Sequence, residues 1–243
     1  MKKIFCLFVL VFSAVLQADT KSLVYINYDS WQIWYNCEKR GYEYFHYTTV
    51  KDEGNLSRFS PFHQEDSLPE NCRQFSTSPY RTDEDNPKFD RGHGVHQNIW
   101  DHSKELMERS NSMANIVPQA SYLNRYGVWR KTEELTECYR DLGKVEVWGG
   151  VIWGDNTSND YFLKSHGVVT PDFLWKVIIL PNKETYAWLM PNDDTPKAQL
   201  INDYLISPKE LSQKVKLDFK LSEKELNEVD ISSPKRPKGC SLK

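Results

Sequence analysis

Beyond its first 18 residues, this 243-residue chain has no apolar run approaching the roughly 20 residues a membrane-spanning helix needs. Nor does it carry a surplus of positive charge. Its 31 Lys and Arg face 34 Asp and Glu, a net charge of −3. Overall charge therefore does not draw it to a polyanion, and any phosphate site must come from local placement of arginine and lysine. No CxxC pair and no Cys/His spacing suited to structural zinc is present. Internal repeats, low-complexity runs and a linker that would divide the chain are also missing, which speaks against solenoids and tandem modules.

The N-terminus is different. Met1-Lys2-Lys3 precedes an apolar run over 4–16, the pattern of a secretory signal with cleavage expected after Ala18. Without residues 1–18 the balance becomes 29 basic against 34 acidic residues, or −5, because Lys2 and Lys3 leave with the signal. Cys37, Cys72, Cys138 and Cys240 then remain, an even number that predicts two disulfides in an oxidising compartment, with three pairings open. The destination is the periplasm or the exterior.

Residues 19–243 are long enough for one sizeable core, so a single domain is expected, with a solvated, disulfide-pinned tail from about 232. Aromatic and β-branched residues predict strands over 23–28 and 42–50, with 31–35 as a third. Residues 51–87 are polar, contain four prolines and predict a long loop. A short helix is expected near 103–109 and the best one over 129–142, ended by Gly143. Strands over 144–153, 173–180 and 185–190 follow, the last two joined by a hairpin-like turn, and then short helices over 198–205 and 208–215. Strands at the start and over 144–190, with helices between them and near the C-terminus, make an α+β domain.

The chemistry concentrates in 89–134. Asp90-Arg91-Gly92-His93 places an imidazole, neutral near pH 7, beside a guanidinium two residues earlier, on the same side of an extended segment. Gly92 lets backbone or substrate come close. Met113–Gln119 and Leu123-Asn124-Arg125 add side-chain amides, and Glu133-Glu134 add carboxylates. An amide oxygen such as that of Asn124 is a hard neutral donor acceptable to Mg²⁺. A base, phosphate-gripping arginines and an oxygen-rich cation site are the requirements of phosphodiester hydrolysis. Taken singly each motif is weak; their order and spacing carry the argument.

That order resembles the DNA/RNA non-specific endonuclease family, the ββα-metal nucleases related to endonuclease G and the secreted Serratia nuclease. The resemblance rests on Asp90–His93, Ser110–Gln119, Leu123–Arg125 with Trp129, Gly167–Pro171, Phe173-Leu174-Trp175-Lys176-Val177 and Ser207–Phe219. It implies an α+β ββα-metal fold on a central antiparallel sheet with flanking helices. It also implies one Mg²⁺, with Mn²⁺ an acceptable substitute, and DNA and RNA as substrates cut to 5′-phosphate and 3′-hydroxyl ends. His93 would be the general base, Asn124 the only direct protein ligand of the metal, and Glu133 a support of the hydrated ion. Arg91 would contact phosphate, Arg58 would stabilise the transition state, Asp90 would anchor the motif and Asn115 would support the site through its amide. Two departures stand out. Gly94-Val95-His96 replaces an apolar run ending in proline, which makes His96 a rival base. Four residues, not three, separate Asn124 from Trp129, so either the helix starts after Gly127 or a bulge absorbs the insertion, and Glu134 competes with Glu133.

Overall fold

The computed structural model describes residues 23–227, 232–240 and 242; the expected signal segment lies outside them. The chain begins with β1 (Leu23–Asn27), β2 (Trp31–Asn36) and β3 (Gly41–Thr48). In β2, Trp31, Ile33 and Tyr35 are buried while Gln32 and Trp34 are only partly covered, the two-residue period of a strand with one face on a core. Next come β4 (Phe89–His93), α1 (Lys104–Ser110), β5 (Ile116–Ala120), α2 (Ser121–Arg125) and α3 (Val128–Arg140). Then follow β6 (Glu146–Ile152), β7 (Phe173–Ile179), β8 (Thr185–Pro191), β9 (Leu205–Ile206), α4 (Pro208–Val215) and α5 (Glu223–Asn227).

Seven strands form one sheet in the order β1-β2-β3-β6-β7-β8-β9, every neighbouring pair antiparallel. β4 and β5 make a separate antiparallel ribbon. β3 and β6 are partners in the sheet, yet the chain between them leaves it for nearly a hundred residues. That excursion carries β4, β5, α2 and α3, and with them the residues singled out above.

The sheet is covered on both faces. On one, Ile33, Phe45, Val147 and Trp188 pack with Val117 of β5 and Trp129 and Leu135 of α3. On the other, Trp175, Val177 and Ile179 pack against Leu211 of α4 and Phe219. Side chains of this size stabilise by about 1.5–3 kcal/mol each when fully buried. α3 departs from an ordinary amphipathic helix. Its buried positions include Thr132, Glu133, Thr136, Glu137 and Arg140 beside Trp129, polar groups where packing alone would select apolar ones. Beneath it Lys176 of β7 is fully buried, its ammonium 3.7 Å from the Trp129 ring centre. Burial lowers its pKa to about 8.

The long segment over 51–87 is largely irregular, as expected, but it is tied down. Cys37–Cys72 closes one end and the buried Gln74 Nε2 donates to the Ile116 carbonyl at 2.9 Å. Arg140 of α3 reaches Asp52 at 3.1 Å. The second disulfide, Cys138–Cys240, fastens the tail to α3. The short helix expected over 198–205 is present, but in 3-10 form and ending at Tyr204. Ala198–Tyr204 forms 3-10 turns broken at Leu200, and Leu205–Ile206 joins the sheet as β9, opposite Ala187 and Trp188. A helix this short is costly to nucleate, whereas β8 offers these residues an open edge. No helix among the described residues is long and apolar enough to cross a membrane.

Candidate active site

His93 is the last residue of β4, opposite Ile116 of β5. The ribbon closes tightly at Gly92, where an added Cβ would lie 2.4 Å from that of Gln119. The close approach Gly92 allows is thus to Gln119. His93 Nε2 sits 2.9 Å from Asn111 Oδ1. Asn111 Nδ2 donates to the carbonyls of Phe59 and Pro61 at 3.0 Å each, so its oxygen must be the atom facing the ring. Nε2 therefore carries the proton, and Nδ1 keeps the lone pair. Burial lowers the His93 pKa to about 4; the hydrogen bond to Asn111 opposes this and the charge of Arg58 adds to it. The imidazole is neutral at neutral pH, the form a proton acceptor needs.

Asp90, at the other end of the strand, collects four donated hydrogen bonds. Asn124 Nδ2 donates to its Oδ2 at 2.9 Å, Arg125 contributes Nε at 2.7 Å together with Nη2, and Ser121 Oγ donates at 3.0 Å. Burial pushes the Asp90 pKa up, but hydrogen bonds from Arg125, Asn124 and Ser121 outweigh it and hold the carboxyl below its ordinary range. With its NH₂ held by Asp90, Asn124 keeps Oδ1, a hard oxygen, as its remaining donor atom, and the residue lines a cleft.

The same cleft, about 450 Å³, is lined by His93, Asn124, Glu133 and Arg58. α3 begins after Gly127, so the extra residue is taken up in the break between α2 and α3. A Cβ at Gly127 would stand 2.5 Å from the Pro196 carbonyl oxygen. This start turns Glu133 into the cleft, 3.4 Å from Arg130, and leaves Glu134 on a neighbouring surface paired with Lys131 at 3.2 Å. One amide oxygen and a nearby carboxylate suit a hard divalent cation that keeps most of its water. Among the described residues, no group of three or more His, Cys, Asp and Glu could hold a metal ion, so a cage built from protein ligands alone is not what this donor set offers.

Arg58 comes from the long loop and lines both this cleft and an adjoining one of about 700 Å³ that holds Arg91. Gln97 secures its neighbour: Phe59 N–H donates to Gln97 Oε1 at 2.8 Å, and Gln97 Nε2 donates back to Phe59 O at 3.0 Å. Arg91 lies 3.7 Å over the Phe62 ring centre and donates to the Thr77 carbonyl at 2.7 Å. Asn115 lines neither cleft. Fully buried, its amide holds the Val95 N–H and the carbonyls of Val95 and Ser110 within 2.9 Å, which makes it a positioning residue for the turn after the base. His96 lines the cleft, held between the Tyr47 hydroxyl and Glu137, each at 3.4 Å. Burial works against the Glu137 carboxylate, but hydrogen bonding to His96, its charge and Arg130 lower the pKa to about 2. Asn111 escaped the sequence reading as a functional residue. It lies within Ser110–Gln119, but nothing in the spacing tells which amide meets the imidazole.

The model of the DNA/RNA non-specific endonuclease family matches residues 13–225. Among solved structures, a chain from the crystal structure of the EndoG/EndoGI complex aligns with a TM-score of 0.62 at 20% identity, covering 83% of this chain and 88% of that one. At that identity the likeness establishes the fold, the EndoG-like α+β arrangement of the ββα-metal nucleases. No curated protein matches the chain.

Proposed function

Because the chain belongs to the DNA/RNA non-specific endonuclease family, whose members are metal-dependent phosphodiesterases, we propose that it is an exported, Mg²⁺-dependent enzyme cutting DNA and RNA with little sequence preference. The observation that carries this reading is the convergence of His93, Asn124, Glu133 and Arg58 on one cleft from four separate segments. His93 Nδ1 takes a proton from the attacking water as its oxygen bonds to phosphorus. The bond from phosphorus to the 3′-oxygen breaks, leaving 5′-phosphate and 3′-hydroxyl ends. Arg58 and Arg91 offset the charge that builds on the phosphate. Asn124 Oδ1 would hold the cation directly, and Glu133 would hold part of its hydration shell. Bound Mg²⁺ supplies charge neutralisation at the scissile phosphate and stabilises the departing oxygen. Low sequence preference follows from a site built to grip phosphate, since backbone contacts carry no base information. Export is supported by the N-terminal apolar run and by two disulfides. Plasmid, single-stranded DNA and RNA digestion with and without chelator tests the reading. Cleavage of all three that stops with chelator and weakens with salt is expected; chelator-resistant cleavage, or none, overturns it.

A further inference from the structure

We infer that Tyr126 is a base-stacking residue at the rim of the cleft, which biases the enzyme toward single-stranded nucleic acid. The inference rests on the nuclease reading above and adds a substrate preference to it. Tyr126 stands two residues after Asn124, in the break between α2 and α3 where the chain carries its extra residue. It lines the cleft of His93, Asn124 and Glu133 and also the adjoining surface depression. It is 65% exposed, the most exposed large apolar or aromatic residue among the described residues. A lone exposed aromatic residue means little; one placed beside the reacting groups calls for a reason.

The charges on this rim supply it. Arg125 is committed to Asp90, Arg130 to Glu133, Glu134 and Glu137, and Lys131 to Glu134. Cations already matched by carboxylates attract phosphate weakly. Arg58 and Arg91 form no ion pair with a carboxylate among the described residues, and both line the adjoining cleft that Tyr126 does not reach, so the phosphate grip lies there. What the Tyr126 side offers is a ring. It is backed, too: the Tyr122 ring lies 5.9 Å away, and Lys197 caps Tyr122 with its ammonium 3.6 Å from the ring centre. The Tyr126 and Gly127 N–H groups both donate to the Tyr122 carbonyl at 2.8 Å, fixing the backbone beneath the ring. A tyrosine has few torsions to freeze, so a platform of this kind loses little entropy on binding.

A base lying on that ring has left its neighbours. In a duplex this costs a few kcal/mol of stacking and pairing; in a flexible single strand it costs far less. Stacking on an aromatic side chain, judged by alanine substitution, changes binding by about 5- to 150-fold per base. The preference for single strands should therefore depend on Tyr126.

The test measures kcat/KM of the purified protein with Mg²⁺ on a single-stranded oligonucleotide and on a hairpin duplex of the same sequence. Tyr126→Ala should lower the single-strand value about tenfold and the ratio of single strand to duplex at least fivefold. Tyr126→Phe, which keeps the ring, should stay within twofold of wild type. Removing the base of one nucleotide next to the cut should cost wild type the same factor and cost Tyr126→Ala nothing further. Equal losses on both substrates, or abasic substrates cut as well as intact ones, would overturn the inference while leaving the nuclease reading in place. Wild type that cuts neither substrate would bring down the nuclease reading and this inference with it.

Discussion

Asp90→Asn probes the arrangement most directly, because it changes almost no volume and removes one charge. In the wild type, Asp90 Oδ2 accepts from Asn124 Nδ2 at 2.9 Å and from Arg125 Nε at 2.7 Å, while Oδ1 accepts from Ser121 and from Arg125 Nη2. An amide has one accepting oxygen. If that oxygen takes the place of Oδ1, accepting from Ser121 and Arg125 Nη2, the new NH₂ faces the NH₂ of Asn124, and the cheapest relief is for Asn124 to flip. The flip turns its oxygen toward residue 90 and its NH₂ toward the cleft, which would remove the proposed direct metal donor. Hydrogen bonds to a charged group are worth about 1.5–3 kcal/mol, and loss of a group that orients a metal ligand costs about 10- to 100-fold in metal affinity. Mg²⁺ affinity measured by calorimetry should fall within that range, and the rate should recover as Mg²⁺ is raised. A folded Asp90→Asn protein that binds Mg²⁺ like wild type would refute the proposed aiming of Asn124.

His93→Ala should lose about 10²–10⁴-fold in rate at every Mg²⁺ concentration, Asn124→Ala should be partly rescued by excess Mg²⁺, and His96→Ala should keep most activity. A dead His96→Ala beside an active His93→Ala would move the base to His96. The His93 pKa is about 4 in the folded state and ordinarily near 6.5, so the unfolded chain takes up its proton first as pH falls. Stability is then full above 6.5 and declines toward 4, by ~2 kcal/mol between pH 6.5 and 5. Urea midpoints of wild type and His93→Gln at the two pH values measure this, and a drop of equal size in both proteins would refute it. Because Arg58 lowers that pKa, Arg58→Ala should move the acid limb of the rate profile to higher pH as well as slow the reaction. The exported protein should lack residues 1–18 and yield peptides linking Cys37 to Cys72 and Cys138 to Cys240, as mass spectrometry can show. Reduction should lower the melting temperature, since the loops closed span 35 and 102 residues and chain entropy gives about 4 and 5 kcal/mol for such lengths.

How far the sequence could be followed depended on the range of the forces involved. Strands such as Trp31–Asn36 were legible because burial on one face leaves a two-residue period in the chain itself. The candidate catalytic groups were legible as residue types because the chemistry admits few alternatives to an imidazole, a guanidinium and a hard oxygen. Partnerships across the fold were not. That Asn111 fixes the tautomer of His93 while also holding the Phe59 carbonyl beside Arg58 depends on contacts across 18 and 52 residues, which leave no local period. The edge strand at Leu205–Ile206 was missed for the same reason, since its partner lies in β8. Which of Glu133 and Glu134 lines the cleft turns on a local fact, the start of α3 after Gly127, but that glycine is demanded by the distant Pro196 carbonyl. Local chemistry thus nominated the reacting groups, while long-range hydrogen bonds aim them. The residues that aim them, Asp90, Asn111, Gln97 and Asn115, are accordingly where isosteric substitutions should separate positioning from chemistry.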